Sequence, residues 1–286
     1  TLFSSIGSMR DKLKIFQLNL RLKNTPIATL FNKKEKTTLA YLQYLGFTDK
    51  IINQFFKPFF SGIFLECDLH TSSRMFEFIY KMFAEGFATL PKAGIGAIAK
   101  QLAGQLKTTQ IQLNNEVQKV TTDFITMASG DQYPYDVCIV ATDPSSFLEG
   151  YSVKNRWKTC DTLYFSVRVN DVPPPIIHLS ALSDTLINNI FYPTSVQRAP
   201  DPHHQLLSVT VVKQHSFSSE VLVSQVKGEL EKYFSITKVK FIKHYAIPRA
   251  LPDLGSVSYA PNLDLMTYED KILLCGDHTA NGSLNA

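Results

Sequence analysis

The residues best suited to holding a ligand lie near the end of the chain. An apolar run, Ile272–Cys275, leads into Gly276-Asp277-His278, and Asn281-Gly282-Ser283-Leu284 follows. Glycine after a strand lets a ligand approach the backbone where a side chain would block it. Residues that open a helix beyond such a turn offer free N–H groups to a phosphate or a ring oxygen. A carboxylate such as Asp277 repels phosphate, so its fitting partner is a sugar-alcohol hydroxyl. An ordinary Asx-type turn accounts for the same residues, and taken alone they leave both readings open. A second apolar run, Asp136–Thr142 (DVCIVAT), ends at Ala141-Thr142-Asp143 and reads as a strand buried on both faces.

Other patterns are weaker. Gly94-Ile95-Gly96-Ala97-Ile98-Ala99 formally matches G-x-G-x-x-A, but that fingerprint needs a strand before it to aim the helix at a pyrophosphate. Thr89-Leu90-Pro91-Lys92-Ala93 is not a strand, so the match is rejected. No other GxGxxG exists among the 13 glycines. His203-His204 lies in a Pro-flanked loop, and His70, His178, His215, His244 and His278 lack partner spacing. There is no GxSxG, HExxH or P-loop. Cys67, Cys138, Cys160 and Cys275 are scattered, with no metal-ligand spacing and no disulfide framework. No metal site and no catalytic residue is assigned from the sequence.

The elements that would position these residues fall into two kinds. The first 90 residues read as helices: Leu39, Leu42 and Leu45 recur at helical spacing, Gly46 stops that helix, and Thr48 caps the next. Ile51, Ile52, Phe55 and Phe56 continue an apolar stripe to Pro58, where proline is expected to end it. A further helix starts at Thr71-Ser72-Ser73 and runs to Gly86. Its aromatic stripe, like Phe55, Phe59 and Phe60 before it, suits either a core or the wall of an apolar substrate cavity. After Pro91 come a helix at 95–106, strands near 117–121, 124–127, 136–142, 160–170, 186–192 and 206–212, a helix at 218–234, and strands at 239–247 and 271–275. Helices first, then strands broken by helices, indicate a mixed α/β protein of interleaved parts.

Composition sets outer limits. Hydrophobic residues make up 44% of 286 and charged residues 19%, enough apolar material for a substantial core. The net charge of +4 is too small to argue for nucleic acid. Charge is uneven, however. Residues 1–36 carry Arg10, Lys12, Lys14, Arg21, Lys23, Lys33, Lys34 and Lys36 against Asp11 and Glu35. Such a basic, apolar-interleaved stretch suits either a solvated helical face or peripheral contact with an anionic membrane through residues 10–36. With no secretory signal and no run long enough to span a bilayer, the expected location is cytoplasmic, in solution or at a membrane surface.

The order of motifs then becomes specific. F-x-x-P-F-F-x-G-x-F-L at 55–65, L-x-T-S-S-R-x-F-x-F at 69–78, G-x-A-x-L-P at 86–91, DVCIVATD at 136–143 and ILLCGDHTANGSLNA at 272–286 together resemble the flavin-containing amine oxidase superfamily. The likeness is nearest to its phytoene desaturase-like and protoporphyrinogen oxidase-like members. It implies an FAD-dependent oxidoreductase in which a Rossmann-like FAD domain is interleaved with a substrate domain of helices on a mixed sheet. Residues 1–89 and 146–255 would form the substrate domain, and 90–145 and 256–286 the FAD domain. The resemblance implies that Val117 meets the adenine through its backbone and that Ala141-Thr142 form a turn close to the dinucleotide. It places Gly276 and Asp277 at the pyrophosphate–ribityl region, and Gly282, Ser283 and Leu284 at the flavin ring. The implied reaction takes a hydride from a small apolar or amine-bearing substrate onto flavin N5. Alternatives are a flavin-dependent isomerase or desaturase of carotenoid-like substrates, and a binding module without cofactor. The family's opening strand, GxGxxG and ribose-binding acid do not occur here, so they are expected upstream of Thr1, and the chain as given is expected to bind FAD weakly or not at all. Ala93 replaces a usual glycine. Cys160-Asp161-Thr162 stands where amine oxidases often place a lysine, with Lys158 offset, which favours an apolar over an amine substrate.

Overall fold

The computed structural model describes residues 6–151, 156–170, 173–197, 201, 203–253, 255–260, 263–279 and 281–282. Helices α1 (Met9–Lys23), α2 (Ile27–Phe31), α3 (Thr38–Tyr44), α4 (Asp49–Ile51), α5 (Lys57–Phe64), α6 (Ser73–Glu85) and α7 (Gly96–Gln105) come first. Strands β1 (Val117–Val120), β2 (Phe124–Met127), β3 (Gln132–Pro134), β4 (Cys138–Val140), β5 (Arg156–Arg168), β6 (His178–Leu179), β7 (Ile187–Phe191) and β8 (His204–Val211) follow. Then come α8 (Ser219–Phe234), β9 (Val239–Asp253), α9 (Leu263–Met266), β10 (Thr267–Glu269) and β11 (Ile272–Leu274). The chain folds as two compact units. The first combines residues 1–87 with 157–253, and the second 88–156 with 254–286.

In the first unit, polar side chains fix where the helices begin and end. Ser8 and Asp11 form a reciprocal capping box at the start of α1, bonding each other's backbone N–H groups at 3.1 and 2.7 Å. The same Asp11 accepts from the Thr48 N–H at 2.9 Å and the Thr48 hydroxyl at 2.8 Å, which ties α1 to the cap of α4. Burial opposes the charge on Asp11, but these bonds from Thr48 and Ser8 outweigh it and lower the pKa from 3.8 to about 2. At the other end of α1, the buried Lys81 of α6 donates to the carbonyls of Leu22 and Lys23 at 2.8 and 3.1 Å. A cation there satisfies orphan carbonyls and complements the helix dipole. Glu77 of α6, 2% exposed, accepts from Arg21 at 3.0 Å, from Lys33 at 2.7 Å and from the Tyr41 hydroxyl. Burial, then that carboxylate, pushes the Tyr41 phenol well above its usual range.

Pro58 does not end its helix. Residues 49–64 are continuous through a π-helical turn, Ile52–Phe56, closed by the Lys57 N–H on the Ile52 carbonyl. The wider turn accommodates a proline ring that would clash with the carbonyl four residues back in a regular α-helix. Phe56, Phe60, Phe64 and Phe76 are fully buried in one cluster, with Phe60 and Phe76 centroids 4.8 Å apart. These side chains are core. Phe55 and Phe59 are half-buried and stack on each other at 6.0 Å.

The sheet of this unit runs β6-β7-β8-β5-β9. Its alternating pattern is visible in the antiparallel pairs Leu163↔Val209 and Phe165↔Leu207. Leu222, Val226 and Leu230, four residues apart on α8, cover that face. Helix α5 approaches β7 closely because residue 62 is glycine: a Cβ there would lie 2.5 Å from Asn188 Oδ1 and 2.9 Å from Asn189 Nδ2.

The second unit contains an antiparallel sheet, β1-β2-β3, and a sheet of order β10-β11-β4. Strand β11 runs parallel to β4 in the register Ile272↔Cys138, Leu273↔Ile139 and Leu274↔Val140. Val120, Cys138, Val140, Leu148, Ile272 and Leu274 form its core. Burial of the DVCIVAT run on both faces is not what folds. Cys138 and Val140 are buried, whereas Ile139 between them is 64% exposed, because an apolar run does not itself specify which faces are covered. Cys275, at the end of the apolar run 272–275, is likewise exposed. The residues before Gly94 form a turn and no strand, and α7 buries none of its residues, in keeping with the rejected nucleotide fingerprint.

Candidate functional site

The two turns singled out from the sequence meet in the second unit. Because β4 and β11 are parallel neighbours, Ala141-Thr142 and Gly276-Asp277 both follow carboxyl ends of adjacent strands. The Cys275 N–H donates to the Val140 carbonyl at 2.8 Å and carries the ladder one residue past the strands. In open α/β sheets, ligands bind outside the carboxyl ends of parallel strands. Gly276 has φ +148°, a conformation that disfavours a side chain, and a Cβ there would lie 2.9 Å from His278 Nδ1. The chain then turns back on itself. Thr279 donates to the Gly276 carbonyl through its N–H at 3.1 Å and its hydroxyl at 2.8 Å, and the Gly282 N–H donates to the Asp277 carbonyl at 3.2 Å. Gly282 also has positive φ, +68°. The Asp277 carboxylate is part-exposed and 3.9 Å from His278 Nδ1.

The remaining assigned residues are placed differently. Val117 begins β1, in the other sheet, and packs against the same core cluster at a register shift opposite Met127. Ser283 and Leu284 lie outside the described residues. Asp143 caps the short turn Pro144–Ser146 by accepting from the Ser145 N–H at 3.0 Å. His278, without partner spacing in the sequence, sits beside Gly276. The adjacency of glycine, acid and histidine was the available signal. An FAD cofactor fits this arrangement: positive-φ glycines beside the ends of two parallel strands offer close backbone approach, and Asp277 offers an acceptor for a hydroxyl.

The first unit contains a grouping that the sequence did not reveal. Asp161 on β5 bonds His244 of β9 through Oδ1 at 2.6 Å and His215 through Oδ2 at 3.2 Å, and Ser219 Oγ lies 2.8 Å from His244 Nδ1. Residues 161, 215 and 244 share no periodicity, and only the sheet brings them together. Lys158 is engaged by Glu66 at 2.6 Å and by the Thr71 hydroxyl at 2.8 Å. Among the described residues, no group of three or more His, Cys, Asp or Glu side chains could hold a metal ion. Likewise, no described helix is long and apolar enough to cross a membrane.

Comparison with known proteins bears on the family and the fold. No curated protein sequence matches the chain. Among solved structures, it is similar to a fatty acid isomerase from P. acnes that produces CLA, with 14% identity and a TM-score of 0.71, covering 99% of this chain and 73% of that one. An oxidoreductase from Methanosarcina mazei shows 14% identity and a TM-score of 0.68 over 95% of this chain and 68% of that one. Reduced UDP-galactopyranose mutase shows 12% identity and a TM-score of 0.55 over 86% and 62%. These likenesses concern the fold. The sequence profile of flavin containing amine oxidoreductases matches residues 6–285. The chain therefore belongs to the flavin containing amine oxidoreductase family, whose members are FAD-dependent oxidoreductases.

Proposed function

We propose that the turns at Ala141-Thr142 and Gly276-Asp277 hold FAD, and that the protein moves a hydride from a small apolar or amine-bearing substrate to the flavin. The observation that carries this reading is the parallel pairing of β4 with β11, which puts both turns at one end of one sheet. Flavin, when bound, supplies the redox chemistry, and the protein positions and desolvates the reacting groups. In this reading the backbone at Gly276 and Gly282 approaches the cofactor, Asp277 accepts from a ribityl or ribose hydroxyl, and Val117 meets the adenine edge through its main chain. Ser283 and Leu284, outside the described residues, are assigned to the ring by the family resemblance alone. Cys160-Asp161-Thr162 stands where amine oxidases often place a lysine, and the offset Lys158 donates to Glu66 and Thr71, which favours an apolar substrate.

Hydrogen-exchange mass spectrometry with FAD at millimolar concentration tests the assignment. Slower exchange is expected at 141–142 and 276–277, with Leu207–Val211 unchanged. Protection confined to other segments refutes it. Binding by the chain as given is expected to be weak. The residues named offer few hydrogen bonds, each contributing about 0.5–1.5 kcal/mol, against several kcal/mol of lost freedom on binding. A preparation that purifies yellow, with stoichiometric flavin, contradicts that expectation.

A second reading concerns α1. Met9, Leu13, Phe16 and Leu20 form one outward stripe at helical spacing, 54% to 67% exposed, opposite the buried Leu18 and Leu22. Arg10, Lys12 and Lys23 lie on the same helix. An apolar stripe on a basic helix suits the surface of an anionic membrane.

A further inference from the structure

Within the first unit, a cavity of about 590 Å³ opens between the π-helical turn and the hairpin joining β6 to β7. That volume lies in the range of small-molecule sites. One wall is made by Asn53, Gln54 and Lys57, which the π turn brings to the same side. π turns inside α-helices recur at functional positions. Lys213, just past β8, supplies a second ammonium. It donates to the Ser183 carbonyl at 2.5 Å, which leaves two of its three N–H donors for other partners. Lys57 faces Asp68 only across 3.8 Å, in an exposed pair of little strength. Among the described residues Asp184 is the one acid lining the cavity, so the lining they form carries a net positive charge. Leu182, Ile187 and Val212 supply apolar surface.

We propose that this cavity is a ligand site separate from the flavin turns, for a small organic molecule that carries one carboxylate on an apolar body. Lys57 and Lys213 hold the carboxylate, the amides of Asn53 and Gln54 supply further donors, and the apolar residues cover the body. Because the π turn exists to accommodate Pro58 within a continuous helix, the site is built into the fold and does not depend on the cofactor.

Cys67 lines the same cavity and reports its occupancy. Burial first, then the charge of Asp68, raises its thiol pKa, while Lys213 and Lys57 act in the opposite direction. It is therefore a slow-reacting thiol whose alkylation depends on access and on local charge. The experiment measures iodoacetamide modification of Cys67 by peptide mass spectrometry during titration with 4-phenylbutyrate, 4-phenylbutyramide or inorganic phosphate. Exposed Cys275 serves as the internal control. Saturable protection of Cys67 alone by 4-phenylbutyrate is expected, with at least about tenfold weaker protection by the amide and by phosphate, since a hydrogen bond to a charged group contributes about 1.5–3 kcal/mol. Lys57→Met and Lys213→Met should each weaken protection about tenfold on the same basis, and Asp184→Asn should strengthen it. All three side chains are at least partly exposed, so the variants should fold. Absence of saturable protection overturns the proposal, as does equal protection by phosphate or by the amide. Unchanged affinity in both lysine variants also overturns it.

Discussion

Replacing Glu77 with glutamine should destabilise the first unit by about 2 to 4 kcal/mol. Breaking a buried ion pair by removing one partner costs about 3–5 kcal/mol when the other charge stays buried. Here the two cationic partners, Arg21 and Lys33, are 42% and 36% exposed at their side chains, so both can rehydrate and the cost falls toward the lower end. The Tyr41 hydroxyl retains an acceptor in the glutamine carbonyl, but loses the charge that strengthens the bond. Tyr41→Phe alone should cost about 1.5–3 kcal/mol, the net value of a hydrogen bond to a charged group. In the double variant the two effects should fall short of additivity by at least about 0.5 kcal/mol, because the residues share one network. The chain has a single tryptophan, Trp157, at the start of β5 in the same unit. Urea unfolding followed by its fluorescence therefore reads this unit. A loss below about 0.5 kcal/mol for Glu77→Gln, typical of a surface substitution, would show that Glu77 is solvated and that the network contributes nothing.

Further expectations follow from single sites. The Asp11 pKa is lowered in the fold, so its contribution is fully present above pH 3.8 and is lost as pH falls toward about 2. Between those values wild type should lose about 1–2 kcal/mol more than Asp11→Asn in acid unfolding curves; parallel curves would refute the assigned hydrogen bonds. Gly62→Ala should cost about 1–3 kcal/mol in urea unfolding, since its Cβ must displace Asn188 and Asn189, and a neutral result would mean that α5 can slide from β7. Phe16→Ser together with Leu13→Ser should abolish sedimentation with vesicles containing phosphatidylserine; binding that persists would place membrane contact elsewhere than the α1 stripe.

Much of the local structure was legible because single residues dictate it. Thr48 and Ser72 cap helices with their hydroxyls, and Gly86 closes α6. The family was legible as an ordered series of short motifs, and the profile match over residues 6–285 agrees. Pro58 was misread because proline forbids a regular helix interior but tolerates a π turn, and nothing in neighbouring residues distinguishes the two. Ile139 was misread because continuous hydrophobicity reports strand propensity and not which faces find partners. The grouping of Asp161, His215, His244 and Ser219 was invisible, since it depends on strand order. For the candidate site, Gly276 and Asp277 could be chosen from residue type. Their neighbourhood with Ala141 and Thr142 depends on a pairing between strands more than a hundred residues apart.

That distant pairing also constrains synthesis. Strand β4 acquires its parallel partner only when residues 272–274 exist, whereas the whole five-stranded sheet of the other unit, ending at Asp253, is encoded between them. On the ribosome, Cys138 and Val140 can pack with Val120 and Leu148 early, but they must wait for Ile272 and Leu274 while an entire second core condenses. Contacts of such long range close slowly and expose strand edges meanwhile. The sheet that carries the candidate cofactor turns is thus the last part of the described chain able to form. A nascent chain halted before β11 would display the unpaired β4 edge, and chaperones that recognise exposed strands would have their longest opportunity there.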